Sequence, residues 1–515
     1  MTISQFPIPA GGIPSGDTAS RPGSPVIGDT YYNGTLELLE IYNGTQWVVS
    51  SAPPATPAIA TPTDASTGDA YTSTAGKLSV VFTPGTGGAT PTQYNAFTTE
   101  GNLSASSSST TVTLTGLTPG TAYTVYGNAQ NNFGTTVNTI YATPVTPTTL
   151  PEVRTIGTAT ASTTANEITV SWTNGNNGGK NLSAITITPY LNGTTAQTSR
   201  TAATTSSTSY TFTKGQLTGD SAYTFKVKAT NANGTSLESS ASNSVTMPNY
   251  IFVNFLVIAG GGGGGGSSGD GVAGGGGAGA GGYRSSVSGE NSGGGASAQL
   301  PLATIPSTNY TVTVGQGGSG GSFGNVGAKG SNSVFGSITS LGGGAGRDAD
   351  DTDVSISNGG SGGGASGSGG GAAGSGTNGE GFGGGTKNDT DAGQYAGGGG
   401  GGAGGAGSGR TRGVGVASSI TGSSVTRAEG GYGQGTTNNI SAGAAGGANT
   451  GNGGNGATQG SSSGGNGGSG VVILRWLTAD ATITVGAGLT ADSTGTDGSF
   501  SYKRFTQGSG NVSFA

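Results

Sequence analysis

Short stretches alternate apolar and polar residues along much of the chain and are broken by Gly, Pro and Asn, the pattern of half-buried strands joined by tight turns. From Gly28 to Val49, GDTYYNGTLELLEIYNGTQWVV sets Asn33-Gly34 and Asn43-Gly44 between three stretches rich in Tyr, Leu, Ile, Trp and Val. Asn-Gly favours two-residue hairpin turns because both central residues need positive φ, so this segment predicts a three-stranded meander. Its core of Tyr31, Leu36, Leu38, Ile41, Tyr42 and Trp47 is marginal alone and calls for further copies or a partner. Residues 1–20 read as an extended arm preceding it within a first unit of residues 1–50, and the Pro/Ala/Thr segment 51–66 reads as a semi-rigid linker. Asn-Gly-Thr triplets at 33, 43, 192 and 233 match glycosylation sequons, but turn formation accounts for them.

Two units with an internal period of 100 residues follow: Leu117, Tyr123, Asn131 and Gly134 recur as Leu217, Tyr223, Asn231 and Gly234. That spacing, with many short strands, predicts tandem β-sandwiches over 67–147 and 150–247. A Leu six residues before a Tyr that opens an alternating strand resembles the tyrosine corner of Greek-key sandwiches. LSVVFTP (Leu78–Pro84) and ITVSWTNG (Ile168–Gly175) place Phe82 and Trp172 where such modules bury an aromatic. Together these features resemble fibronectin type III modules, which have no intrinsic chemistry and are expected here to act as spacers.

Between residues 260 and 470 the composition turns to glycine. A flexible linker is one reading. Collagen is excluded, because GGGGGG at 261–266 breaks the every-third-residue rule and Pro is almost absent. A folded glycine domain is favoured, because apolar strands bracket the region (NFLVIAG at 254–260, SGVVILRW at 469–476) and NYTVTVGQGG (309–318) and GSNSVFGSITSLGGG (330–344) alternate within it. Glycine runs can form three-residue-per-turn helices without internal hydrogen bonds, whose backbone groups bond to neighbouring helices instead. The phrases FLVIAGGGGGG, GGYR, YTVTVGQGG, SNSVFGSITSLGGG and GGSGVVILRW resemble the glycine-rich, polyglycine II-type domains of bacteriophage tail-fibre and adhesin proteins, and GDTYYNGTLELLEIYNGTQWV resembles the start of marine-phage (cyanophage-like) fibre proteins. The expected architecture is mainly β, elongated and multidomain: meander, two sandwiches, a glycine-rich domain over 249–476 and a small C-terminal β segment, 477–515, with turns at Asp497-Gly498 and around Gly508–Gly510. That last segment is too small to fold without a partner.

The resemblance implies that loops on a stack of glycine helices recognise a receptor on the host surface. The non-glycine islands are the candidate loops: Ala345–Asn358, Phe382–Tyr395, Gly409–Gly415 and Thr426–Gln434. Tyr283, Phe382, Tyr395 and Tyr432 could stack on sugars. Arg410, Arg412 and Arg427 could hold anionic groups bidentately, and Asp350 and Asp351 complete the receptor-binding candidates. Tyr31, Tyr32, Tyr42 and Trp47 are candidates for anchoring to the virion. Asp348, Asp350, Asp351 and Asp353 form DxDDxD. Clustered carboxylates can ligate Ca²⁺, but the Gly and distal Glu of an EF-hand are missing, so a plain acidic loop, no metal and no cofactor are expected.

Composition narrows the chemistry. The 515 residues include 111 Gly, no His and no Cys, and only 8% are charged, against about 25% in ordinary globular chains. Ser-His-Asp triads, Cys-His nucleophiles, thiolate or imidazole zinc sites and disulfides are excluded. A net charge of -6 with 18 Lys and Arg argues against nucleic-acid binding. The start of the sequence carries no basic signal region, and its longest apolar run, 251–259, is too short to span a bilayer, which needs about 20 residues. The expectation is therefore a non-enzymatic virion fibre, made in the host cytoplasm and exposed on the particle exterior without membrane insertion. Its partners would be other tail or capsid proteins and a host polysaccharide or outer-membrane protein, and family habit implies a homotrimer. A structural or capsid-decorating fibre without a receptor is the main alternative. A polysaccharide hydrolase is disfavoured by the lack of a coherent acid pair, and a bacterial surface adhesin by the missing export signal.

Overall fold

The computed structural model describes all residues except 1–13, 36–37, 43, 50–51, 268–272, 349–352, 369–370, 388–394, 436–442 and 461. The chain divides into two compact units, Met1–Pro248 and Asn249–Ala515. The described residues are almost entirely β or extended, and no helix among them is long and apolar enough to cross a membrane.

The first unit opens with the expected meander, Thr30–Asn33, Leu38–Tyr42 and Trp47–Val49, joined by a fourth, parallel strand, Ser15–Gly16, from the arm. Asn33 does not form the hairpin turn. Its residue is buried, and its amide donates to Glu40 Oε2 at 3.0 Å. Arg21 Nε donates to the same oxygen at 2.7 Å, so the buried Glu40 carboxylate is compensated from two sides, as a buried charge requires. Among the described Asn-Gly pairs, Asn192-Gly193 does take positive φ at both residues, +51° and +75°.

Both β-sandwiches are present. In the first, a sheet of Thr111–Leu117, Gly76–Thr83 and Ala58–Ile59 faces one built on Tyr123–Asn131, Gln93–Thr98, Ser104–Ser107 and Thr139–Val145. Residues 58–64, expected within a linker, instead supply this module's first strands, since Thr63–Asp64 also pairs with Gly76–Thr83. Pro57 and Pro62 flank these short pieces, and proline is tolerated at such an edge. In both modules the tyrosine corner closes: Tyr123 Oη accepts from the Thr118 N–H at 2.9 Å and Tyr223 Oη from the Thr218 N–H at 3.0 Å. Phe82 and Trp172 are buried in the two cores. The last edge of the second module is not a regular strand. Every third residue, Ser236, Ser239 and Ser242, donates its N–H to the Ala222–Asn231 strand and accepts from it through Oγ. The three-residue spacing of serines was a legible signal of this ribbon.

In the second unit one sheet runs in the order Tyr283–Ser285, Ile251–Ile258, Val471–Leu477, Phe500–Phe514, Tyr310–Val314, Ser333–Phe335, Ile338–Ser340. Residues 255–258 and 471–474 of the strands Ile251–Ile258 and Val471–Leu477 are apolar on both faces because both faces are covered there. Val253, Phe255, Val257, Val472, Leu474 and Trp476 pack in one cluster, and Leu256, Ile258, Val471 and Ile473 in another with Ala280, Ala403 and Ala428 from the glycine region. The C-terminal segment is an integral part of this sheet. On one edge Phe500–Phe514 pairs with Val471–Leu477 along its first half and with Tyr310–Val314 along its second, and on the other it takes three short strands from 483–497. The Asp497-Gly498 turn forms, whereas Gly508, with φ +94°, sits at an irregularity inside the strand rather than in a turn.

The strands run directly into the glycine region, which is folded. Along 260–267 the hydrogen bonds change neighbour with a period of three. The N–H groups of 260, 263 and 266 donate to the carbonyls of 331, 328 and 325; those of 261 and 264 to 468 and 465; those of 262 and 265 to 279 and 276. Its carbonyls accept from three further stretches: 260 and 263 from 343 and 346, 261 and 264 from 318 and 321, 262 and 265 from 454 and 457. One extended helix thus has six neighbours, and residues 274–282 repeat the arrangement. The sheet registers continue unbroken into this lattice. Ile258 pairs with Val471 and with Tyr283 in the sheet; three residues on Gly261 bonds Gly468, and four residues on Gly262 bonds Gly279.

At its tightest positions such packing excludes side chains. A Cβ on Gly264 would lie 2.0 Å from the Asn455 carbonyl oxygen, a backbone atom with no room to yield. On Gly447, at the rim, it would meet only Thr450 side-chain atoms, at 3.2 Å and beyond. Gly264→Ala should therefore destabilise the second unit by at least about 3 kcal/mol, while Gly447→Ala should change stability by less than about 1 kcal/mol. Parallel denaturant melts of the two variants check this, and equal midpoints would contradict a close-packed lattice.

Candidate functional site

The expected receptor residues separate into three groups. Tyr283 and Arg427 are not loop-tip residues. Tyr283 is fully buried in the cluster between sheet and lattice, and Arg427 is 6% exposed at the end of a short strand. Their burial leaves neither available to a receptor, and it also pushes the Tyr283 hydroxyl pKa up and the Arg427 guanidinium pKa down. Tyr283 is expected from the sequence to stack on sugars, but the preceding residues 274–282 are a lattice helix whose register carries it into the sheet. Asp350 and Asp351 lie outside the described residues. Of the other carboxylates in DxDDxD, Asp348 is buried, and Asp353 accepts from the Ser355 hydroxyl and N–H (2.9 Å for the latter), which hold its carboxyl below the usual range. Among the described residues no cluster of acids could hold a metal ion.

Phe382 is half-buried and its backbone belongs to the lattice, bonding Gly402 and Gly362. Tyr395 is exposed where a lattice helix begins, its carbonyl accepting from Gly274. Arg410, Arg412 and Tyr432 do converge. Tyr432 is 42% exposed. The Arg412 guanidinium stands 4.9 Å from its ring centroid and pairs with Glu429 at 2.9 Å, so that cation is both neutralised and used to brace the ring. Arg410 and Tyr432 line an open basin of about 800 Å³ together with Thr386, Lys387, Ser408, Thr411 and Gln434. The last five were not singled out from the sequence. Lys387 and Gln434 nevertheless lie within the polar islands that interrupt glycine runs, which was the available signal.

The anchor candidates also divide. Tyr31 is 1% exposed and packs on Trp47, with ring centroids 5.8 Å apart. It is therefore a core residue, its hydroxyl donating to the Asp17 carbonyl. Tyr32 is exposed, and Tyr42 and Trp47 are partly exposed and in contact at 5.6 Å.

Residues 235–477 match the family described as a glycine-rich domain, which covers the lattice and its bracketing strands. Over 41% of this chain there is similarity to solved multidomain structures. Domains A168–A170 from titin give 17% identity, 73% coverage of that chain and a TM-score of 0.23; the chicken CNTN1 FN1–FN3 domains give 15%, 80% and 0.26. No curated protein matches. The chain is a mainly β protein that joins two β-sandwiches to a domain matching the glycine-rich family.

One buried acid beside the lattice gives a pH signature. Glu380 is 8% exposed, and burial raises its carboxyl pKa despite the hydrogen bond from the Leu341 N–H at 2.7 Å and the nearby Arg284. An acid whose folded pKa is raised favours the folded state when protonated, and this advantage is lost as pH rises from the unfolded value through the folded one. Glu380→Gln keeps an acceptor for Leu341 and cannot ionise. Its stability relative to the natural chain should therefore improve between pH 4 and pH 7. Thermal melts at both pH values test this, and a constant difference would rule out ionisation of Glu380 as the cause.

Proposed function

We propose that this chain is a non-enzymatic bacteriophage fibre or adhesin, attached to the particle through its N-terminal region and binding the host surface through the glycine-rich domain. The observation that carries the reading is the division of labour in the second unit. A backbone-bonded lattice leaves no room for a side chain at positions such as Gly264, and several polar, cationic and aromatic groups at its rim converge on one basin. Rigid support of this kind suits recognition, because the loops need little further ordering on binding. The fibronectin III-like modules supply length between the ends. Multiple copies on a particle would strengthen individually weak contacts. The resemblance of the glycine phrases to phage adhesins supports the viral assignment, and the expected trimer would give such multivalency.

The test is competition. Purified full-length protein should bind permissive bacteria saturably and reduce adsorption of the parent phage. The combined Arg410→Ala and Tyr432→Ala variant should compete at least about tenfold less well, the equivalent of roughly 1.4 kcal/mol. If the protein decorates particles yet neither binds cells nor competes, a structural fibre without a receptor is the better description.

A further inference from the structure

The rim basin has a chemistry narrower than adhesion in general. Three separate stretches form it, and each is tied down from below. The Gly385 N–H donates to the Gly399 carbonyl at 2.7 Å, the Gly399 N–H to the Gly409 carbonyl at 2.7 Å, and the Gly433 N–H to the Arg410 carbonyl at 3.0 Å. Ser408 and Thr411 exchange both of their backbone bonds, at 3.0 and 2.9 Å. The floor is therefore set before a ligand arrives.

Its walls are almost wholly polar. Among the described residues, hydroxyls, an amide and cationic groups surround one aromatic ring, with no aliphatic side chain. Pockets for apolar small molecules are lined mainly by hydrophobic groups, and protein interfaces are built around a desolvated aromatic or aliphatic centre. Neither description fits. A hydroxyl-rich ligand does fit, because each hydroxyl can donate and accept at once. It can donate to Gln434 Oε1 and accept from guanidinium or amide N–H groups. Tyr432, with Arg412 and Glu429 fixing its position, leaves 42% of its surface open, enough to lie against the C–H face of a sugar ring. The basin's volume of about 800 Å³ suits a short saccharide rather than a single small ion.

We infer that this basin binds a saccharide, with Arg410 and Gln434 bonding ring hydroxyls and Tyr432 packing against a sugar face. The inference rests on the adhesive reading above and names its ligand class. Arg410 and Lys387 also engage other groups of the chain, and a guanidinium carries five N–H donors in all.

The experiment uses the full-length protein on an array of neutral and acidic bacterial saccharides, followed by titration of the strongest hit and by binding to permissive cells. Gln434→Ala and Tyr432→Ala should each weaken the saccharide hit about tenfold or more, with melting temperatures unchanged, while Tyr395→Ala, outside the basin, should leave it intact. An array on which nothing binds, or a hit held equally by all variants, would overturn the inference. Cell binding that survives both basin variants would also overturn it while leaving the adhesive reading standing. Saccharide binding through the basin without any cell binding would support the site and defeat the adhesive reading.

Discussion

The second unit depends on one constraint: a buried peptide group must find a hydrogen-bond partner. Polyproline II-type helices make no internal bonds, so every buried N–H and C=O must be satisfied by another helix. Residues 260–267 meet the requirement with three stretches that accept and three that donate. Such proximity is possible only without side chains, which is why a Cβ on Gly264 would collide with the Asn455 carbonyl. Glycine loses more conformational freedom on folding than any other residue. Dense bonding between helices offsets that loss, and it does so only if the neighbours are all present together.

That interdependence raises the question of what sets the register. The sheet provides an answer. Apolar strands such as Ile251–Ile258 and Val471–Leu477 have side chains that specify their pairing, and the same antiparallel alignment continues into the glycine runs that adjoin them. A glycine helix alone carries no information about which neighbour it should meet or in which phase. The strands supply it, and the C-terminal strand Phe500–Phe514 reinforces it by sitting in the middle of the sheet. The hydrophobic effect thus fixes alignment at one end, and backbone hydrogen bonding extends that alignment where side chains are absent.

Parts of this were legible in the residues, and parts were not. Apolar alternation located the bracketing strands, and the repeated Leu and Tyr spacing located both tyrosine corners, which close on Thr118 and Thr218. The Asn33-Gly34 pair was misleading, because the same amide that favours a turn also serves as a donor to the buried Glu40. Tyr283 was misplaced for a related reason: in a glycine-rich stretch an isolated aromatic looks like a loop, and only the lattice register shows that it enters the core. The basin was half legible. Arg410 and Tyr432 stood out against glycine, but their meeting with Lys387 and Gln434 joins segments far apart along the chain.

The sequence by itself determined the element types, because the period of apolar residues and the distribution of Gly, Pro and Asn act locally. It also determined what chemistry is absent, since no His or Cys occurs anywhere. Tertiary structure alone decided which glycine run neighbours which, that residues 58–64 join a sandwich, that the last strand enters the sheet, and which exposed side chains share a basin. Glycine runs are nearly interchangeable in local terms. Their positions are assigned only when long-range backbone bonds form together, and no local pattern encodes that choice.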